Sequence, residues 1–129
     1  MSDLELFLHP IRPVDETTEL AVSDRFCGPD GKPAAFRVRA MTQEENDALV
    51  RASTHPDKGF DSVEFSHRVV VEATVWPDFR SSELCKGYGV MDPLELPGKM
   101  LKSGEYKRLM NGILKISDLS DKTEDAAKN

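Results

Sequence analysis

Apolar residues recur at three- and four-residue intervals most plainly near the end of the chain. In GEYKRLMNGILKI, residues 104–116, Tyr106, Leu109, Met110, Ile113 and Leu114 share one face of a helix, with Lys107, Arg108, Asn111 and Lys115 outside it. Gly112 lies inside this stretch; glycine there costs about 1 kcal/mol relative to alanine, so packing must hold the helix. A second helical pattern runs from 62 to about 75: Phe65, Val69, Val70, Ala73 and Trp76 on one side, Glu64, His67, Arg68 and Glu72 on the other. Its Val69-Val70-Val71 run favours strands, so a buried strand is the alternative. Pro77 ends the element either way.

Period two governs an earlier stretch. In AAFRVRAM, residues 34–41, Phe36, Val38 and Ala40 alternate with Arg37, Arg39 and Met41, the pattern of a half-buried strand. The β-favouring segment before it, Thr18–Phe26, is separated from it by the turn cluster Gly28-Pro29-Asp30-Gly31, and the two read as a β-hairpin. Further upstream, DLELFL (3–8) is one amphipathic turn or a short edge strand, stopped by Pro10 and Pro13.

The remaining helices announce themselves by their caps. Thr42-Gln43-Glu44-Glu45 matches a capping box for a helix to about Ala52, whose apolar face (Ala48, Leu49, Ala52) is narrow enough to place it at the surface. His55-Pro56-Asp57-Lys58-Gly59 follows as a loop, and Asp61 or Ser62 caps the helix from 62. Ser81 or Ser82 starts a short helix through Leu84 and Cys85, closed by Gly87 or Gly89. Asp92-Pro93-Leu94-Glu95 opens another, with an acid at the N-cap and proline at the first helical position. Pro97 then forbids continuation, because it lacks an N–H and crowds the carbonyl four residues back; the chain bends or restarts there. These elements predict an α+β, mainly α fold: an N-terminal β-hairpin (about 18–41) followed by four to five short helices (about 42–116) in one compact domain, 1–117, with 118–129 a flexible polar tail.

Charge and composition narrow the function classes. The chain has 129 residues and a formal net charge of −6, which disfavours binding to nucleic-acid phosphates. The longest apolar run, Val69–Val71, falls far short of the roughly 20 residues of a membrane span, and the leading MSDLELFLHP is acidic rather than basic, unlike a secretory signal. Cys27 and Cys85 lack metal or redox spacing and read as reduced thiols of a cytoplasmic protein, with a disulfide between them the alternative.

No chemistry-bearing pattern emerges. His9, His55 and His67 fall in different elements without a close ligand pair, so no metal site is expected. Ser66-His67 are neighbours that point apart on a helix, without a nucleophile elbow. Gly87-Tyr88-Gly89 lacks the βαβ context and third glycine of a dinucleotide loop and reads as a helix stop. The paired acids Asp15/Glu16, Glu44/Glu45 and Glu124/Asp125 occupy turns, a first helical turn or the tail, which are solvated positions. No catalytic residue and no cofactor are expected. The apolar stripes of the last helix and of Leu4, Phe7 and Leu8 read as core. A chain of only 39% hydrophobic residues in several short helices can still leave a groove uncovered, and such a groove is a receptor for a partner's amphipathic helix.

Three blocks taken in order carry a resemblance: RFCGPDGKPAAFRVRAMTQEEND (25–47), ATVWPDFRSSELCKGYGVMDPLEL (73–96) and KMLKSGEYKRL (99–109). Within them Arg39-Ala40-Met41-Thr42-Gln43-Glu44-Glu45, Val75-Trp76-Pro77-Asp78-Phe79, Glu83-Leu84, Tyr88-Gly89-Val90, Met100-Leu101 and Gly104-Glu105-Tyr106 resemble the pattern of the XkdN-like phage tail assembly chaperones, over most of residues 4–116. Two departures concern local shape: Pro97-Gly98 falls where the family continues a helix, and the stretch 53–62 is short.

The resemblance implies a non-enzymatic role in the host bacterial cytoplasm. Such a chaperone binds the tape measure protein, keeps it soluble while tail tube subunits assemble, and is absent from the mature particle; the tail tube protein is a further implied partner. A small structural tail or connector component is the alternative. Candidate partner-binding or family-motif residues are Leu4 and Phe7, then Trp76, Pro77, Leu84, Tyr88 and Gly89, and finally Met100, Leu101, Glu105 and Tyr106.

Overall fold

Alternation in the strand that carries Phe36 and Val38 sets the core. A computed structural model describes residues 3–119; the polar tail expected over 118–129 lies, from residue 120 onward, outside them. The chain begins with helix α1 (Leu4–Leu8), then strands β1 (Thr17–Leu20) and β2 (Phe36–Arg39), which pair antiparallel with Thr18 opposite Val38. Phe36, Val38 and Ala40 are buried, as period two requires. Arg37 and Arg39 face outward to carboxylates: Arg37 to Glu19 at 2.8 Å, Arg39 to Glu45 at 2.7 Å and Glu72 at 3.0 Å.

The expected hairpin exists as a pairing but not as a tight turn. β1 stops at Leu20 rather than running to Phe26, and residues 21–35 form a long excursion. Gly28–Gly31 does turn at its tip, with the Gly31 N–H donating to Gly28 O at 2.9 Å. Val22 and Ser23 are buried, so the excursion begins in the core, while nearly all of residues 24–35 are exposed.

Helix α2 (Gln43–Ala52) starts where the capping box places it: the Thr42 hydroxyl accepts from the Glu45 N–H, and the Glu45 carboxylate accepts from the Thr42 N–H. None of its residues is buried, in keeping with its narrow apolar face. The stretch read as a loop holds a two-residue ribbon, β3 (Thr54–His55) with β4 (Gly59–Phe60). Asp61 then caps α3 (Ser62–Ala73) by accepting from the Glu64 N–H. The β-branched run is helical, and Val69, Val70, Val71 and Ala73 are all buried; burial outweighs the weak strand preference of three valines.

That helix was expected to reach 75, but it ends at Ala73. Thr74–Trp76 forms β5, which adds to the free edge of β2 and completes a sheet of order β1-β2-β5. Trp76 therefore leaves the helical stripe and stands 64% exposed. After a cis Trp76–Pro77 bond the buried Phe79 anchors the turn into α4 (Ser82–Gly87), which Ser81 caps. The end of α4 is a Schellman motif: the Val90 N–H donates to Cys85 O, the Gly89 N–H to Lys86 O, and Gly89 takes φ +71°, where a side chain would be strained.

A 3₁₀ turn over Pro93–Glu95 follows, capped by Asp92, and Pro97 sits in the first turn of a new helix, α5 (Leu96–Met100). The proline thus restarts the chain rather than kinking one long helix. Helix α6 (Ser103–Ile116) closes the fold, lying across β1 and β2 and against α3 and α5 with Leu109 and Ile113 fully buried.

Candidate functional site

Three helices meet without fully closing. α6 is placed against α3 by Leu109 and Ile113, and α2 spans the top of α3 with its narrow apolar side. Because α2 is too polar to cover both of its neighbours, a groove of ≈ 400 Å³ remains between the start of α2, the outer turns of α3 and the last turns of α6. Its floor and walls are Met41, Phe65, Val69, Met110, Ile113 and Leu114, with the exposed Leu119 at its edge. The polar members of the lining are Thr42, Gln43, Asn46, Ser66 and Ser117; among the described residues no charged side chain lines it, on a chain of net charge −6. An uncharged apolar trough with amide and hydroxyl groups at its rim is what an amphipathic helix requires of a receptor. It offers no nucleophile and no converging titratable pair.

The groove's floor is braced from below. The Ser66 hydroxyl and the Tyr106 phenol share a hydrogen bond of 2.5 Å between α3 and α6, and burial pushes the phenol's pKa up. His67 meets the Tyr106 ring edge-on at 5.9 Å. At the other end of α6, in its first turn, Glu105 is 3% exposed and accepts from Arg25 through both oxygens, at 2.8 Å from Nε and 2.5 Å from Nη2. It also accepts from the Lys102 N–H at 2.7 Å, so one carboxylate both caps α6 and holds the Val22–Phe26 segment against it. The Arg25 guanidinium donates onward to Met100 O and lies 4.8 Å from the Phe26 ring centre. The hydrogen bonds from Arg25 hold the Glu105 carboxyl far below the usual carboxylate range, against the desolvation that would raise it.

The residues singled out by sequence disperse into three groups. Met100, Leu101 and Glu105 are interior, and Tyr106 is half-buried beside them; this block serves the fold. Trp76, Pro77 and Leu84 come together at a shallow cleft near the sheet edge, with Tyr88 and Gly89 forming the nearby helix end. Leu4 and Phe7 lie on α1, where no residue is buried: Phe7 is 81% exposed, and Leu6, Leu8, Ile11 and Val14 are exposed with it. The reading of Leu4, Phe7 and Leu8 as core is thus corrected. Pro10 and Pro13 end the helix after little more than one turn, and its apolar side chains stand in solvent. Sequence reasoning assigned Phe65, Met110 and Leu114 to core stripes and did not single them out as groove residues. The signal was the width of the α6 stripe, which extends beyond the Leu109–Ile113 line that β1, β2 and α3 cover.

Among the described residues no helix is long and apolar enough to cross a membrane, and no cluster of three metal-ligating side chains occurs. Cys27 is exposed, Cys85 is buried, and both are free thiols.

Comparison with known proteins gives four concordant findings. The family model described as "Phage XkdN-like tail assembly chaperone protein, TAC" matches residues 4–129. The protein YqbN of Bacillus subtilis (strain 168) is 33% identical over 139 residues, spanning 98% of this chain and 93% of its own length. The "Phage-like element PBSX protein XkdN" of the same organism is 31% identical over 133 residues, spanning 95% of this chain and 89% of its own. A crystal structure of YqbN superposes with a TM-score of 0.77 at 32% identity, covering 92% of this chain and 98% of that one.

Proposed function

The chain belongs to the XkdN-like family of phage tail assembly chaperones, and from that premise we propose that it binds apolar helical stretches of a tape measure protein in the α2–α3–α6 groove. Bound, it keeps that long partner soluble in the host cytoplasm while tail tube subunits assemble around it, and it leaves before the particle is complete. The observation that carries this reading is the groove itself: apolar, uncharged, and walled by Phe65, Met110 and Leu114 on an otherwise acidic surface. An amphipathic helix laid there buries its i, i+3, i+4 residues, while its polar face stays in water. The contact area is modest, and so the complex is reversible, as a factor that must depart requires. Net negative charge keeps the complexes dispersed.

The test is co-expression with the tape measure protein of the same phage or prophage, reading that protein's soluble yield. The wild-type chain raises it several-fold and Leu114→Lys, which puts a charge in the groove wall, does not. No gain from the wild-type chain, with both proteins folded, overturns the proposal. Mass spectrometry of purified particles provides the second arm: the chaperone is absent from them, whereas stoichiometric presence identifies a structural tail component.

A further inference from the structure

The chain carries a segment with the pattern its own groove accepts. Leu4, Phe7 and Leu8 are spaced i, i+3, i+4 on α1, the stripe of a helix-in-groove ligand, and all three are exposed. Next in line, Ile11 is 93% exposed. Apolar side chains in this density on a projecting segment are out of keeping with a surface that stays in water. We propose that the occupant of the α2–α3–α6 groove in the resting protein is the Leu4–Leu8 arm of a second copy of this chain, exchanged reciprocally.

Three observations favour a second copy over the chain's own arm. The arm's root, Pro10–Val14, borders a separate cleft with Ala40, Met41 and Ile116, while the arm stands clear of its own chain's groove and supplies none of that groove's lining. Pro10 and Pro13 fix φ at two positions of that root, which stiffens the connection to α1. The cleft shares Met41 and Ser117 with the groove, so the arm is held outward beside the groove's mouth, the geometry from which a short, stiff connection passes an element to a neighbour. Because the described groove lining has no charge, Asp3 and Glu5 on the arm meet no repulsion from it. Residues 120–129, SDKTEDAAKN, follow the groove residue Leu119 but offer it no apolar side chain larger than alanine. Arm-for-arm exchange is two-fold symmetric and closes at two copies. Two such arms bury on the order of 1,000 Å², near the lower limit of a specific interface, which sets a dimer that dissociates on dilution.

This inference shares the groove with the proposed function but not its test, which contains no tail protein. Sedimentation equilibrium of the full chain, any tag placed at the C-terminus, is measured from about 5 to 200 µM, the range that brackets a micromolar constant. The mass rises from 14.4 kDa to twice that value. Phe7→Asp and Leu114→Lys each weaken the dimer at least tenfold, while Met91→Asp, at a residue 98% exposed elsewhere, leaves it unchanged. Circular dichroism confirms that each variant is folded, and amides 3–9 gain exchange protection with concentration. A chain that stays monomeric throughout, a dimer indifferent to Phe7→Asp, or an arm protected equally at every concentration overturns the inference. A dimer that binds no tape measure protein counts instead against the proposed function alone.

Discussion

Gly112 sits in the middle of the best helix in the chain, where alanine is worth about 1 kcal/mol more in helix propensity. The reason for the glycine lies on β1. A Cβ built at position 112 falls 2.7 Å from Leu20 Cδ1 and 3.2 Å from its Cδ2, where a carbon–carbon contact needs about 3.5–4.0 Å. Gly112→Ala therefore forces the end of Leu20 away by nearly an ångström; that end is flexible and half-buried beside an open cleft, so the overpacking costs only about 1 kcal/mol. Set against the propensity gain, the net change is close to zero. With the obstacle removed, in a Leu20→Ala background, Gly112→Ala stabilises by about 1 kcal/mol. Urea unfolding of the four proteins gives the cycle, and its coupling is about 1 kcal/mol, beyond the roughly 0.5 kcal/mol within which independent sites add. If Gly112→Ala instead stabilises both backgrounds equally, the helix does not approach the strand as described.

Other substitutions probe other levels. Leu109→Ala, at the fully buried contact between α6 and the sheet, costs about 2–5 kcal/mol in denaturant unfolding. Thr42→Ala removes half of a capping box from a helix with no buried residue and costs about 0.5–2 kcal/mol, with exchange protection falling first in α2. Acid acts through Glu105 and Glu45, whose carboxyls Arg25 and Arg39 hold below their ordinary value; both contributions are complete above the unfolded carboxylate range and fade as pH falls below about 4. Melting temperature against pH therefore drops steeply on the acid side, and Glu105→Gln flattens that limb while lowering stability at neutral pH.

What the letters revealed divides by range of interaction. The caps at Thr42, Asp61, Ser81 and Asp92 were readable because each joins groups two or three residues apart. The α6 stripe and the Phe36–Val38–Ala40 alternation were readable because burial on one face imposes its own period. β5 was not: Thr74–Trp76 is too short to show a period, and only the open edge of β2 makes it a strand. Nor was the interior role of Glu105 visible, since its partner Arg25 lies eighty residues upstream. The arm misled for the opposite reason: Leu4, Phe7 and Leu8 have core composition, but nothing in their own fold covers them. The groove lies between these cases. Its walls were legible as apolar helix faces; that they stay uncovered depends on how little α2 spans, which is a property of three helices together.

Hydrogen exchange of the chain with and without the proposed tape measure protein is the sharpest test of the groove as the binding face. Binding in the groove slows exchange in the first turn of α2, in α3 around Phe65–Val69 and in α6 around Met110–Leu114, and Leu114→Lys abolishes that slowing. Protection confined to the sheet edge at Trp76 and to α4, with the groove unchanged, would contradict it.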